Sequence, residues 1–106
     1  MPNVTVDPGR MTCSPDPAPA DQGQPTLFTF TLVNPAQWDW AGASPVVVTG
    51  GTQQFPCASY IDSRTNKVVL FDKNTDGSPT QYKYTVTATN KSTGSPVTID
   101  PMIQNQ

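Results

Sequence analysis

The 106-residue sequence contains no histidine and no glutamate, and only 13% of its residues are charged. Without histidine, a Ser-His-Asp triad, a Cys-His pair and imidazole metal ligands are all excluded. Six Lys and Arg residues against eight Asp leave a net charge of −2, so the sequence lacks the excess of basic residues that a nucleic-acid-binding surface needs. No apolar run reaches the roughly 18 residues of a membrane-spanning helix. We therefore expect neither nucleic acid nor a membrane as a partner.

The groups that remain for acid-base catalysis are chiefly aspartates and tyrosines, and none of them form a pair at a spacing typical of an active site. Two carboxylates could meet across strands, as in glycoside hydrolysis, but a chain of 106 residues leaves little room for a substrate cleft. The sequence therefore predicts a protein that is not an enzyme and that needs no cofactor.

The N-terminal residues and the cysteines bear on the compartment. Residues 1–5 (MPNVT) have neither the basic nor the apolar region of a secretory leader, which predicts a cytoplasmic protein. Cys13 and Cys57 allow one disulfide, and their sequence spacing does not show whether they come within bonding range. In a reducing compartment, two free and partly buried thiols are expected, and a structural bridge is the alternative.

Twelve prolines and seven glycines separate short β-prone runs, a pattern typical of an all-β sandwich or barrel in a single domain over residues 1–106. Residues 14–25 contain four prolines and predict a loop with polyproline character. Pro101 donates no ladder bond, so the last strand is expected to be at an edge or bent there. The predicted strands are 3–6, with 10–14 as a second piece of the same edge strand, 26–33, 37–41, 45–49, 55–61, 67–71, 81–89 and 96–103.

Residues 81–89 alternate between two faces, with Tyr82 and Tyr84 on the inner face and Lys83 in solvent. The turn at 76–77 followed by Tyr82 resembles the penultimate strand of immunoglobulin-like domains, where an inward tyrosine bonds back to the main chain. Trp38 or Trp40 takes roughly the place of the buried aromatic on the third strand. The resemblance implies an immunoglobulin-like antiparallel β-sandwich of seven to eight strands, without the inter-sheet disulfide of antibody domains.

Three short segments carry a narrower resemblance: 100–105 (DPMIQN), 4–6 (VTV) and 72–76 (DKNTD). Together they resemble small bacterial proteins of the DP-EP family, which are single-domain, sandwich-like and of unknown function. This resemblance implies no catalytic or binding residue.

Residues 72–77 (DKNTDG) read as D-x-N-x-D-G, the first half of an EF-type calcium loop. The twelfth position, which should be a bidentate glutamate, is Lys83, and the flanking segments predict strands rather than helices. The pattern favours a turn whose Asx side chains bond their own backbone. A weak calcium site built from Asp72, Asn74 and Asp76 is the alternative.

The two tryptophans form a second candidate site. Trp38 and Trp40 are two residues apart on a predicted strand, so both indoles lie on one face and Asp39 lies on the other. A small core favours burial of both rings, whereas one ring at the rim, or an exposed pair that could stack on a sugar, are the alternatives.

The favoured function is a non-catalytic binding or accessory module that recognises a protein partner or self-associates. That function requires an exposed apolar patch or an unprotected edge strand. A small-ligand module, binding carbohydrate through Trp38 and Trp40 or calcium through the 72–76 loop, is the alternative. A structural component of a virus particle or surface assembly is a third class that fits the sequence.

Overall fold

The computed structural model describes residues 2–106, and every regular element in this range is a β-strand. The prediction of an all-β fold is confirmed; Met1 lies outside the described residues. Eleven strands, rather than seven or eight, are found in this range: β1 (Asn3–Asp7), β2 (Thr12–Ser14), β3 (Ala18–Pro19), β4 (Thr26–Leu32), β5 (Trp38–Trp40), β6 (Val46–Val48), β7 (Tyr60–Asp62), β8 (Lys67–Asp72), β9 (Thr80–Asn90), β10 (Pro96–Ile99) and β11 (Met102–Asn105). No helix in residues 2–106 has the length and hydropathy needed to cross a membrane.

The strands form two sheets. The first has the order β2-β1-β4-β8-β7. The second is built around the long strand β9, which pairs with β10 and β11 and with β5 and β6. Strands β5 and β10 both pair with β9 at Ala88, so they must lie on opposite sides of it. Strand β3 completes the second sheet beyond β11.

The sheets are mixed, so the expectation of a purely antiparallel arrangement is wrong at two places. Strand β1 runs parallel to β4, and β11 runs parallel to β3. The segment between β2 and β4 crosses to the second sheet at β3 and returns, which brings β4 in alongside β1 in the same direction. Parallel neighbours need such long crossovers, whereas the sequence pattern shows only local turns.

Two predictions for the N-terminal third are wrong. Residues 10–14 were expected to extend the first strand, but β2 folds back antiparallel to β1 after a turn in which Met11 has a φ of 55°. The proline-rich stretch was expected to be a loop throughout, but it contains β3. The Ala20 amide donates to the Gln104 carbonyl at 2.8 Å, and Pro19 is tolerated because an edge strand needs few donors.

Two other predicted strands differ clearly from the structure. Of the predicted run 55–61, only residues 60 and 61 are regular, and β7 continues from them to Asp62. The last strand is interrupted at Asp100 and Pro101, as its proline led us to expect, and both of its halves, β10 and β11, pair with β9. The Pro101 carbonyl accepts a hydrogen bond from the Tyr84 amide at 3.0 Å across this break.

The core lies between the two sheets. Phe30 of the first sheet and Tyr84 of the second meet edge to face, with ring centroids 5.6 Å apart. On β9, Tyr84, Val86 and Ala88 are buried and Lys83 is exposed, which confirms the predicted facing. The other apolar side chains of this core are Val4, Val6, Cys13, Ala18, Ala20, Phe28, Leu32, Trp40, Val46, Phe55, Val68, Leu70, Ile99 and Ile103.

Candidate functional site

Strand β7 forms one edge of the first sheet. It pairs with β8 on one side, through Tyr60 with Val69 and Ile61 with Val68. Within residues 2–106, no backbone group outside this ladder bonds to Tyr60 or Ile61. The side of β7 away from β8 therefore presents main-chain groups that a further strand could pair with.

Three of the other edge strands carry features that oppose strand addition. Strand β2 is followed directly by Pro15 and β3 contains Pro19, and a proline has no amide N–H to donate to an added strand. Strand β6 is capped by Ser59, whose hydroxyl accepts from the Val46 amide at 3.2 Å and donates to the Val46 carbonyl at 2.6 Å. The β7 edge has neither a proline nor such a cap.

A groove of about 440 Å³ lies on the outer face of the first sheet beside β7. Its apolar part is formed by Leu27, Tyr60 and Val69, and Tyr60 is 57% exposed. The polar residues around it are Asn3, Thr29, Asp62, Thr65 and Lys67. The sequence did not predict this groove, because the groove forms only when β1, β4, β8 and β7 lie side by side. The one signal in the sequence was an apolar residue, Leu27 or Tyr60, on the solvent face of each of two predicted strands.

A second feature is a polar cluster formed by the buried Asp72 and Asn105 and the half-buried Asp76, which we call the carboxylate–amide cluster. The Asn105 amide nitrogen donates to Asp72 Oδ1 at 3.1 Å and to Asp76 Oδ2 at 2.7 Å. The Tyr82 hydroxyl donates to Asp76 Oδ1 at 2.7 Å. The cluster thus joins the C-terminal strand to the turn that follows β8. Asn105 was not predicted as a member, because only the fold brings it to this turn.

The third member of the predicted calcium set, Asn74, faces elsewhere. Its backbone amide donates to Asp72 Oδ1 at 2.9 Å, which forms an Asx turn. Its side-chain nitrogen donates to the carbonyls of Asp21 and Gln24 at 2.6 and 3.0 Å, and its Oδ1 accepts from the Gln106 amide at 3.0 Å. Asn74 therefore holds the chain segments around the cluster together, while Asp72 and Asp76 meet through Asn105.

Two buried oxygen atoms of the carboxylate–amide cluster have no hydrogen-bond donor. Asp72 and Asn105 are both fully buried, and Asp72 Oδ2 and Asn105 Oδ1 have no hydrogen-bond partner. Burial raises the pKa of Asp72 to about 6, with a further contribution from Asp76, against hydrogen bonds from Asn74 and Asn105. Burial and the bond to Asp76 likewise raise the pKa of Tyr82 to about 12. The described residues contain no group of three His, Cys, Asp or Glu side chains that could hold a metal, so amide oxygens would have to complete any metal site here.

The two tryptophans do not form an exposed pair. Trp40 is 6% exposed and its Nε1 donates to the Asn66 carbonyl at 2.7 Å. The prediction that both rings are buried is wrong for Trp38, which is half-buried and packs against the core from its rim. This is the arrangement with one ring in the core and the other at the rim, and it leaves no two-ring platform for a sugar.

The cysteines are not joined to each other. Cys13 is buried and Cys57 is exposed, so both thiols are free but only one is buried. Burial raises the pKa of Cys13 to about 11. The Cys13 thiol lies beside the Tyr84 hydroxyl, and burial raises the pKa of Tyr84 as well. The Tyr84 hydroxyl is nevertheless without a well-aligned hydrogen-bond partner.

Tyr82 and Tyr84 should respond differently to loss of the hydroxyl. Tyr84→Phe removes an unpartnered buried hydroxyl, so the free energy of unfolding of this variant should be unchanged or slightly higher. Tyr82→Phe removes the hydrogen bond to Asp76, so its free energy of unfolding should fall by about 1 kcal/mol. Urea unfolding of the two variants measures both values. A larger loss for Tyr84→Phe than for Tyr82→Phe would contradict this description of the two hydroxyls.

Gly51 supports the Tyr82 ring, which also packs edge to face on Phe55. Gly51 has a φ of +65°, and a Cβ there would lie 2.6 Å from Tyr82 Cε1. Gly50 has a φ of +70° with nothing within 4 Å of the corresponding position. Gly50→Ala should therefore cost about 1 kcal/mol for the left-handed backbone alone. Gly51→Ala should cost distinctly more in the same thermal unfolding experiment, and equal costs would show that the ring moves aside freely.

No family model matches the chain, and no curated protein matches it.

Proposed function

We propose that this chain is a non-catalytic binding module that recognises an extended protein segment at the free edge of β7. The observation that carries this proposal is the open side of Tyr60 and Ile61 next to the groove lined by Leu27. Strand addition gives affinity through main-chain hydrogen bonds, and pockets for alternate side chains give specificity. The edge and the groove supply these two parts side by side.

The segment that binds can come from a partner protein or from a second copy. If two β7 strands pair antiparallel about Ile61, Tyr60 of each copy lies across from Asp62 of the other, and the two sheets become one. A repeating assembly, such as a virus particle or a surface layer, would use the same edge. Self-association is the form to test first because it needs no unknown partner.

We also propose that the fold is an immunoglobulin-like sandwich. In such domains, strands A-B-E-D form one sheet and C-F-G form the other. The order β1-β4-β8-β7, with β9 between β5–β6 and β10–β11, supports this correspondence. The departures are the parallel β1–β4 pairing and the Tyr82 hydroxyl, which bonds to the Asp76 side chain rather than to the main chain. The resemblance to DP-EP proteins remains part of this proposal.

The proposed function is tested by light scattering on the purified chain from micromolar to millimolar concentration. Wild type should associate, and Tyr60→Lys and Leu27→Lys should shift association to at least tenfold higher concentration, because each places a charge in the edge or groove. Val47→Lys is the matched control, since Val47 is 55% exposed on β6 of the other sheet.

A wild-type chain that stays monomeric should instead bind β-prone peptides from a random library, with the same dependence on Tyr60. The proposal is wrong if wild type neither associates nor binds such peptides. It is also wrong if Val47→Lys abolishes binding while Tyr60→Lys leaves it intact.

A further inference from the structure

We propose that a cavity between the two sheets binds a small, neutral aromatic molecule. The cavity has a volume of about 200 Å³ and lies between β6, β8 and the segment 55–59 that precedes β7. It shares no lining residue with the groove beside β7, so it is a second site and does not depend on the function proposed above.

The inner wall of this cavity is apolar and comes from both sheets. Val46 and Val48 extend inward from β6 of the second sheet, because alternate residues of a strand share a face and the exposed Val47 lies on the other one. Leu70 comes from β8 of the first sheet and Phe55 from the connecting segment, and both are buried. A molecule in the cavity would therefore contact core side chains of both sheets.

The rim of the cavity is uncharged. Its exposed residues are Ser44, Pro56, Cys57 and Ala58, and within residues 2–106 no Asp, Lys or Arg lines any part of it. An ion would lose its hydration here without gaining a partner of opposite charge. The ligand is therefore of a neutral class, and one short polar substituent can stay in water at the rim.

The inner part of the cavity offers little to a water molecule. A buried water needs about two to four polar partners. Ser59 is the buried polar residue of the lining, and its hydroxyl is already used, since it accepts from the Val46 amide at 3.2 Å and donates to the Val46 carbonyl at 2.6 Å. Displacement of poorly held water by apolar atoms favours binding.

The volume suits one aromatic ring. Packed interiors contain few spaces larger than a water molecule, so a space of about 200 Å³ against the core is one that the core side chains leave unfilled. An apolar cavity of about 150 Å³ lined by Leu, Ile and Phe side chains binds benzene. The cavity is thus large enough for a six-membered ring with a short substituent, such as phenol. Because the ligand is small and one side of it stays open to solvent, we expect a dissociation constant of about 10⁻³ M.

The test is an NMR titration of the full chain with phenol, up to about 20 mM, which is about twenty times the expected dissociation constant. Nuclear Overhauser effects should connect the phenol ring protons with the methyl groups of Val46, Val48 and Leu70, whose shifts should saturate. The methyl groups of Leu27 and Val69, in the groove beside β7, are the internal control and should show neither effect.

Cys57 supplies a second readout. It is the exposed free thiol at the rim, whereas Cys13 is buried, so a water-soluble thiol reagent reacts with Cys57 first. Bound phenol covers the rim, and saturating phenol should slow this reaction by about threefold or more.

Val48→Phe places an aromatic ring in the cavity and should abolish both phenol effects. Val97→Phe is the matched control and should keep them, because Val97 is also half-buried against the core but lies on β10, on the opposite side of β9. The wild-type titration decides the question even where a variant fails to fold. The proposal is overturned if phenol gives no saturable shift at Val46, Val48 and Leu70, if its contacts map to Leu27 and Val69 instead, or if they persist in folded Val48→Phe.

Discussion

Replacing Trp40 by alanine should bring the protein close to unfolding. The indole is buried between the sheets and its Nε1 bonds to the Asn66 carbonyl, so the substitution leaves both a cavity and an unpartnered acceptor. Deletion of a large aromatic side chain from a core costs about 3–5 kcal/mol. The total stability of a small domain is about 5–15 kcal/mol, so this one change removes a large share of it. Urea unfolding followed by circular dichroism measures the loss.

Two further variants separate the causes of this loss. Trp40→Phe keeps most of the buried ring and should lose about 1 kcal/mol for the missing hydrogen bond. Trp38→Ala should cost clearly less than Trp40→Ala, because Trp38 is only half-buried. A Trp40→Ala protein that keeps wild-type stability within 1 kcal/mol, together with efficient iodide quenching of the native fluorescence, would contradict the position of Trp40 in the core.

Asp72→Asn should stabilise the protein at neutral pH. The folded state raises the pKa of Asp72 from 3.8 to about 6, so the folded protein holds this proton more tightly than the unfolded chain does. The resulting stabilisation is fully present below pH 3.8 and is lost as pH rises through 6. A shift of this size corresponds to roughly 3 kcal/mol as an upper value. Asparagine keeps the Oδ1 acceptor without the buried charge, so the variant should gain about 1–3 kcal/mol at pH 7.

The measurement is urea unfolding at pH 4, 5, 6 and 7. The wild-type free energy of unfolding should contain a component that falls between pH 4 and 7 and that is missing in Asp72→Asn. The titratable groups that face Asp72 are Asp76 and Tyr82, and Tyr82 does not titrate in this range. Parallel pH profiles for wild type and variant would show that Asp72 does not carry the linkage.

The sequence predicted those parts of the fold that depend on local pattern. Strand β9 alternates strictly between apolar and polar residues, so its buried face followed from the positions of Tyr84 and Val86. The proline at position 101 interrupts the ladder wherever the strand lies, so the break between β10 and β11 was also predictable. Each of these features is decided by neighbours in the chain.

The features that escaped prediction depend on contacts between distant segments. Strand β3 exists only because β11 lies beside it, and proline density alone indicated a loop. The parallel pairing of β1 with β4 follows from a crossover that no turn signal marks. Asn105 joins Asp76 across 29 residues, and nothing near Asn105 in the sequence indicates a polar cluster.

The groove beside β7 escaped prediction for a related reason. Leu27 and Tyr60 are single apolar residues on the solvent faces of their strands, and isolated exposed apolar residues are common. They become one surface because β4 and β8 pair, which places Val69 between Thr29 and Tyr60. An open edge was the requirement that the sequence analysis set for a binding module, and the topology leaves β7 as an open edge.

The most direct measurement is an NMR dilution series on the backbone amides of the purified chain. If β7 is the binding edge, resonances of Tyr60, Ile61 and Asp62 and of the groove residue Leu27 should shift with concentration or with bound peptide, while those of β2, β3 and β6 stay fixed. The amides of β7 should also gain protection from hydrogen exchange in the associated state. Shifts that map instead to β6 and the 55–59 segment, with β7 unchanged, would contradict the proposed function.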